Sequence, residues 1–245
     1  MNLNKLEYRG FQIHYKNEFE VKFLINEIFE NNAYSFYTSK EDPFIIDCGS
    51  HIGISVLYFK KTYPRAKIIA FEPDPISYGC LKQNIEVNHL TEVICCNIAL
   101  SDSIGSTHLY GDFSDNSESV GNSIIPGWGQ RDRYSQKVVA TDKLSRYLNQ
   151  EIDLLKLDVE GAEQNILNDI HEKLSYIKNI YLEQHQFNRA SNQRNLKEVI
   201  NDLQNLNYIV THSKEDLFNL LKNKYPVWAN EQRPIIHKIK AHKHD

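Results

Sequence analysis

The sequence predicts an α/β fold: a doubly wound, mainly parallel seven-stranded sheet with helices on both faces, preceded by an N-terminal helical extension. Three observations carry this. Short runs that are apolar on both faces, such as Phe44-Ile45-Ile46-Asp47, read as central parallel strands. Such runs alternate with segments of helical period, the signature of crossover helices covering both faces of a parallel sheet. Glycines and acidic residues follow the strands directly, where open α/β sheets bind ligands. Only six or seven strand–helix units are counted, too few for a closed eight-stranded barrel.

Residues 1–40 form an extension with a strand and an amphipathic helix. Between Asn17 and Asn32, Val21, Leu24, Ile25 and Ile28 recur at helical spacing among Glu and Lys. The main domain spans 41–232. It opens after the Asp42-Pro43 break with the strand from Phe44, a turn bracketed by Gly49 and Gly53, and a helix from Ile54 to Thr62 that stops before Pro64. Lys67–Phe71 is the second strand, Pro75–Asn88 a helix and Val93–Ala99 the third strand. Asp153–Leu157 is the fourth, followed by a helix from about Ala162 to Leu174. Lys178–Leu182, a helix over Gln193–Asn205 and a strand over Tyr208–Thr211 complete the pattern.

The segment from Ser101 to Tyr134 is rich in Ser, Gly, Asn and Asp, with candidate flanking strands at Thr107–Tyr110 and Lys137–Thr141. Residues 112–134 read as a lid-like loop, with Trp128 and Tyr134 available to stack on a ligand ring; a solvated loop is the plain alternative. The tail over 233–245 is basic, carries His237, His242 and His244, and reads as a solvated, frayed terminus.

With 245 residues, 41% hydrophobic and 24% charged, the chain buries a core without disulfide or metal staples. A net charge of -4 draws it to neither nucleic acid nor an anionic membrane. Cys48, Cys80, Cys95 and Cys96 form no C-x-x-C pair and read as reduced thiols. No signal-peptide core or membrane-length apolar stretch occurs, so the expectation is a cytoplasmic protein. The oligomeric state is left open.

The chemistry gathers at the strand ends. The first strand ends in Asp47-Cys48-Gly49-Ser50-His51-Ile52-Gly53, where glycines let a ligand approach the backbone. The second ends in Glu72, placed to accept bonds from ribose hydroxyls, followed by Pro73 and Asp74. Together they indicate an adenosine-containing ligand. The close glycines of a nicotinamide fingerprint are absent, as is a phosphate loop, which disfavours an oxidoreductase or an NTPase. S-adenosylmethionine needs no phosphate seat, and Asp47 suits its positive groups. The candidate cofactor site comprises Asp47, Gly49, Ser50, His51, Gly53, Glu72, Pro73, Asp74, Asn97 and Ala99.

Three segments carry a family resemblance: Ile45–Gly53, Ile69–Pro75 and Asp153–Glu163, the last containing the distinctive LLKLDVEGAE. Together they resemble the FkbM family of S-adenosylmethionine-dependent methyltransferases over roughly Phe44 to Gln186, with Ser50-His51 where the family usually has Ala-Asn. The resemblance implies methylation of a hydroxyl on a sugar, polyketide or other secondary metabolite, leaving S-adenosylhomocysteine. The expected partner is therefore a small-molecule or glycan acceptor. Asp158, Glu160, Glu183 and His185 are the candidate catalytic residues, with His185 or Asp158 favoured as base because a neutral His accepts a proton readily. Glu163 reads equally as a first-turn carboxylate favoured by the helix dipole. Clustered carboxylates also offer oxygen ligands to a divalent ion, but no metal is assigned. A non-catalytic binding subunit and methylation at nitrogen are the alternatives.

Overall fold

In the parallel strands the apolar side chains point to both faces, so helices must cover both. That requirement organises the computed structural model, which describes residues 3–111, 113, 121–127, 135–186, 196–216 and 235–243. Strands β1 (Asn4–Tyr8) and β2 (Phe11–Tyr15) form a hairpin. Helix α1 (Glu18–Ile25) is capped by Asn17, whose side chain accepts from the Phe19 and Glu20 N–H groups. The amphipathic segment continues past α1 as a π-helical turn, Asn26–Glu30. The core units are β3 (Phe44–Cys48), α2 (Ile54–Thr62), β4 (Lys67–Phe71), α3 (Pro75–Val87) and β5 (Val93–Cys96). Asp74 caps α3 and Pro75 occupies its first turn, where its missing N–H costs nothing.

The expected third strand, Val93–Ala99, divides: β5 ends at Cys96 and a two-residue β6 (Ala99–Leu100) joins a separate sheet. That sheet has β8 (Ser135–Asp142) between β6 and β7 (Gly105–Gly111), so the two flanking strands expected around the Ser/Gly-rich segment pair with each other. Most of 112–134, including Trp128 and Tyr134, lies outside the described residues. The chain returns through β9 (Ile152–Leu157), buried at every position, then α4 (Glu163–Ile170) with a 3-10 turn to Tyr176, β10 (Ile177–Gln186), α5 (Leu196–Asn205), β11 (Tyr208–Asp216) and β12 (Ile235–Lys243).

The large sheet has the order β11-β12-β10-β9-β3-β4-β5. Strands β10, β9, β3, β4 and β5 are mutually parallel, and β12 is antiparallel to both its neighbours. This corrects the expectation of a frayed tail. Ile239 and Ala241 bury into the sheet, and alternation over Ile235–Lys243 carries an apolar face that the basic composition obscured. One core layer lies under α2, α3 and the N-terminal extension; the other lies under α4 and α5. The hairpin is bolted to α3 by two asparagines one turn apart. Asn84 accepts from His14 N–H at 2.6 Å and donates to the His14 and Ile52 carbonyls, and Asn88 brackets Gln12 in the same way. All four cysteines are unbridged, with Cys48 and Cys80 buried and Cys95 and Cys96 half-buried. Among the described residues, no helix is long and apolar enough to cross a membrane.

Candidate active site

After β3 the chain turns sharply through Gly49 (φ 83°), His51 (φ 48°) and Gly53 (φ 90°) into α2. The Gly49 and Ser50 N–H groups both donate to the Phe71 carbonyl, at 3.0 and 2.9 Å, which clips the turn to the end of β4. A Cβ on Gly49 would stand 1.8 Å from the Asp158 carbonyl oxygen, so the turn lies against the end of β9 with room for glycine alone. At the end of β4, Glu72 is fixed by two backbone donors, His51 N–H to Oε2 and Asp74 N–H to Oε1, each at 2.8 Å. Burial pushes its carboxyl up to about 8, while those donors pull the other way.

These elements surround a cleft enclosing about 860 Å³, its open mouth included. Of the residues the sequence singled out, Gly49, Ser50, His51, Glu72, Pro73, Ala99, Asp158 and Glu160 line it. The other candidates stand behind the wall. Asp47 is fully buried and faces Ser55, whose hydroxyl donates at 2.6 Å, and Lys156 at 3.4 Å. Gly53 starts α2 against Leu81. Asp74 is occupied as the α3 cap and by Lys137 at 3.4 Å. The Asn97 amide donates to the Glu72 and Pro73 carbonyls, at 2.8 and 3.0 Å, and so shapes the wall without facing the cleft. Glu183 and His185 lie one layer behind Asp158 and Glu160.

The floor is a charge network. The Lys156 ammonium is buried, donates to the Gly49 carbonyl at 2.8 Å and pairs with Asp47 at 3.4 Å and Asp158 at 3.3 Å. Burial opposes its charge, but Asp158 and Asp47 hold it above the usual lysine range. Burial likewise favours neutral Asp158, yet Lys156 and His185 hold its carboxyl below the usual carboxylate range. The His185 ring stands between Glu163 on Nδ1, at 3.0 Å, and Glu160 and Asp158 on Nε2, at 3.6 and 3.9 Å. Burial opposes a charged ring, but Glu160, Glu163 and Asp158 hold its pKa well above the usual histidine range. The three carboxylates around the ring favour its charged form, opposite to the neutral imidazole that the sequence reading assumed for a base. Burial, then Asp158 and Glu27, pushes Glu183 up to about 8, against Lys238 and His185.

Asp158, Glu183 and His185 bring ligand atoms within 4.8 Å of one another, a spacing a metal ion would accept. The charges do not fit one. Lys156 pairs with Asp158 at 3.3 Å and Lys238 stands 3.8 Å from Glu183, and a divalent ion would have to displace both ammonium groups.

Several site residues escaped the sequence reading. Lys156, a charge inside an apolar strand, reaches two carboxylates. Glu163 proves to be the carboxylate that holds His185, while also accepting the Gly161 N–H at 3.0 Å. Leu24, Ile28 and Tyr34 bring the N-terminal extension into the cleft wall, and the Tyr34 hydroxyl reaches Asp158 at 3.4 Å. The sequence signal for Leu24 and Ile28 was the apolar stripe on the amphipathic segment, which marks burial but not what lies beneath it; Tyr34 lies beyond that stripe.

Comparison with known proteins agrees with this arrangement. The methyltransferase sdnD of Sordaria araneosa is 31% identical over 196 residues, covering 68% of this chain and 76% of its own length. The 2-O-methyltransferase NoeI of Sinorhizobium fredii is 27% identical over 157 residues, covering 59% and 64%. Among solved structures, M. jannaschii TYW2 in complex with AdoMet shares the fold, with a TM-score of 0.51 at 14% identity over 99% of this chain and 87% of that one. Residues 47–210 match the methyltransferase FkbM domain, a span running from the buried aspartate of the glycine turn, through Glu72 and the Asp158–Glu163 corner, into β11. On that match, the chain belongs to the FkbM family of methyltransferases.

Proposed function

We propose that the chain is an S-adenosylmethionine-dependent O-methyltransferase acting on a hydroxyl of a sugar, glycan or secondary metabolite. The observation that carries this reading is the shared cleft. Glu72 faces it from the end of β4 and Asp158 from the end of β9, with the glycine turn between them. Glu72 suits ribose hydroxyls, and Phe71, Pro73, Ile98 and Leu100 form an apolar slot for a base ring. When bound, the cofactor supplies a methyl group on a sulfonium.

The chain's own task is to hold the acceptor, exclude water and remove one proton. Asp158 is the group assigned to the proton. Lys156 keeps it ionised, and an alkylated hydroxyl is acidic enough to surrender its proton even to a weak base. His185, clamped by Glu163, stands behind Asp158 and Glu160 and braces them. The name of the relative NoeI supports oxygen as the acceptor atom.

Asp158→Asn is expected to lower turnover by about 10²–10⁴-fold while cofactor binding persists, measured as S-adenosylhomocysteine released across a panel of hydroxylated acceptors. Wild-type turnover in that variant would move the base elsewhere.

Glu72 gives a pH signature. Ribose hydroxyls bind the carboxylate, and a carboxyl near 8 is mostly neutral at pH 7 and mostly ionised at pH 9. Affinity for S-adenosylhomocysteine should therefore rise about tenfold over that interval, in step with the ionised fraction. Calorimetry on wild type and Glu72→Gln tests this. The variant should bind weakly with a flat pH profile, and a flat wild-type profile would remove Glu72 from the cofactor site.

A further inference from the structure

A second cleft, distinct from the one above, lies between the N-terminal extension and the face of β10, β12 and β11, and encloses about 1080 Å³ including its mouth. The two clefts share no lining residue. Tyr34 in the wall of the first packs edge-on against Tyr181 in the wall of the second, ring centroids 4.7 Å apart.

Its charges are unevenly satisfied. Lys238 is held by Glu27 from the extension, by Glu215 at 3.1 Å and by Glu183 at 3.8 Å. Lys240, two residues on and so on the same face of β12, lines the same cleft. Its ammonium sits 5.7 Å from the centroid of the Tyr181 ring, and among the described residues no carboxylate pairs with it. The carboxylates of Glu27 and Glu215 are committed to Lys238. The Thr211 hydroxyl donates to the Lys240 carbonyl at 3.3 Å, and Asn26 and Asn31 line the same cleft. Burial and the neighbouring Lys238 both push the Lys240 pKa down, the reverse of what an ion-pair partner would do. A half-buried cation beside another cation, on the wall of an open cleft and without a carboxylate of its own, is complementary to an anion.

We propose that this cleft binds a small molecule through a carboxylate or phosphate group, received by Lys240. The assignment is independent of the methyl-transfer reading, because it concerns other residues and needs no cofactor.

The test is direct titration of the full chain, without cofactor, by calorimetry with inorganic phosphate, succinate, glucose and glucose 6-phosphate. Wild type, Lys240→Met, Lys240→Arg and the exposed-surface control Lys61→Met are compared. Expected is saturable binding of at least one anion by wild type and Lys61→Met, weakened at least tenfold in Lys240→Met and retained in Lys240→Arg. The phosphate and succinate arms separate the two anion types, and glucose 6-phosphate against glucose separates the anion from its carrier. Equal anion affinity in wild type and Lys240→Met would overturn the proposal. So would the lack of saturable anion binding in wild type, or glucose binding as well as its phosphate.

Discussion

Replacing Gly49 by alanine should destabilise the fold by more than about 4 kcal/mol, the range reached only when a core feature is broken. Two costs combine. An L-residue at φ 83° pays about 1–2 kcal/mol for the left-handed backbone. The added Cβ would also stand 1.8 Å from the Asp158 carbonyl oxygen, and that atom is backbone at the end of a fully buried strand. Strands β3 and β9 would have to part where the cleft floor is formed. Two other glycines calibrate the result. Gly10, at φ 91° with open space around it, should lose only the backbone cost. Gly53 meets the tip of Leu81, a side chain that can move, and should fall between. Denaturant unfolding of the three alanine variants measures the series, and a Gly49 variant no worse than the Gly10 variant would refute the close approach.

The second large effect belongs to Lys156. Lys156→Met keeps the length of the side chain and removes the ammonium, leaving Asp47 and Asp158 facing each other's charge and the Gly49 carbonyl without its 2.8 Å donor. Breaking a buried pair in this way costs about 3–5 kcal/mol, because the remaining charge is uncompensated. The diagnostic is rescue. Adding Asp47→Asn to Lys156→Met removes one stranded charge and should recover a substantial part of the loss, giving a coupling well outside the few tenths expected of independent sites. Thermal unfolding of the two single variants and the double variant closes the cycle; additive losses would mean that the 3.4 Å contact carries no weight.

Both results bear on what a sequence discloses. The parallel sheet was legible because its central strands are apolar on both faces and each is followed by a helical period. The glycine turn and Glu72 were legible because strand ends in such sheets are where ligands bind, and the structure puts both on one cleft. Depth was not legible. Asp47 looked like a contact residue and is the layer beneath one, because a sequence shows that a residue ends a strand but not which atoms stand between it and the ligand. Electrostatic surroundings were not legible either. His185 reads as an ordinary histidine until β10 carries it between Glu160 and Glu163, residues more than 20 positions away. The last strand was missed because its lysines and histidines dominate its composition, while two apolar positions, Ile239 and Ala241, decide its place.

That last strand has a consequence for the continuity of the sheet. Lys238 sits on β12, inside the sheet between two strands that precede it in the chain, and stands 3.8 Å from Glu183. The large sheet is therefore continuous from β10 to β11 only through residues 235–243, and the ammonium that joins Glu27, Glu183 and Glu215 is delivered by the last of its strands in chain order.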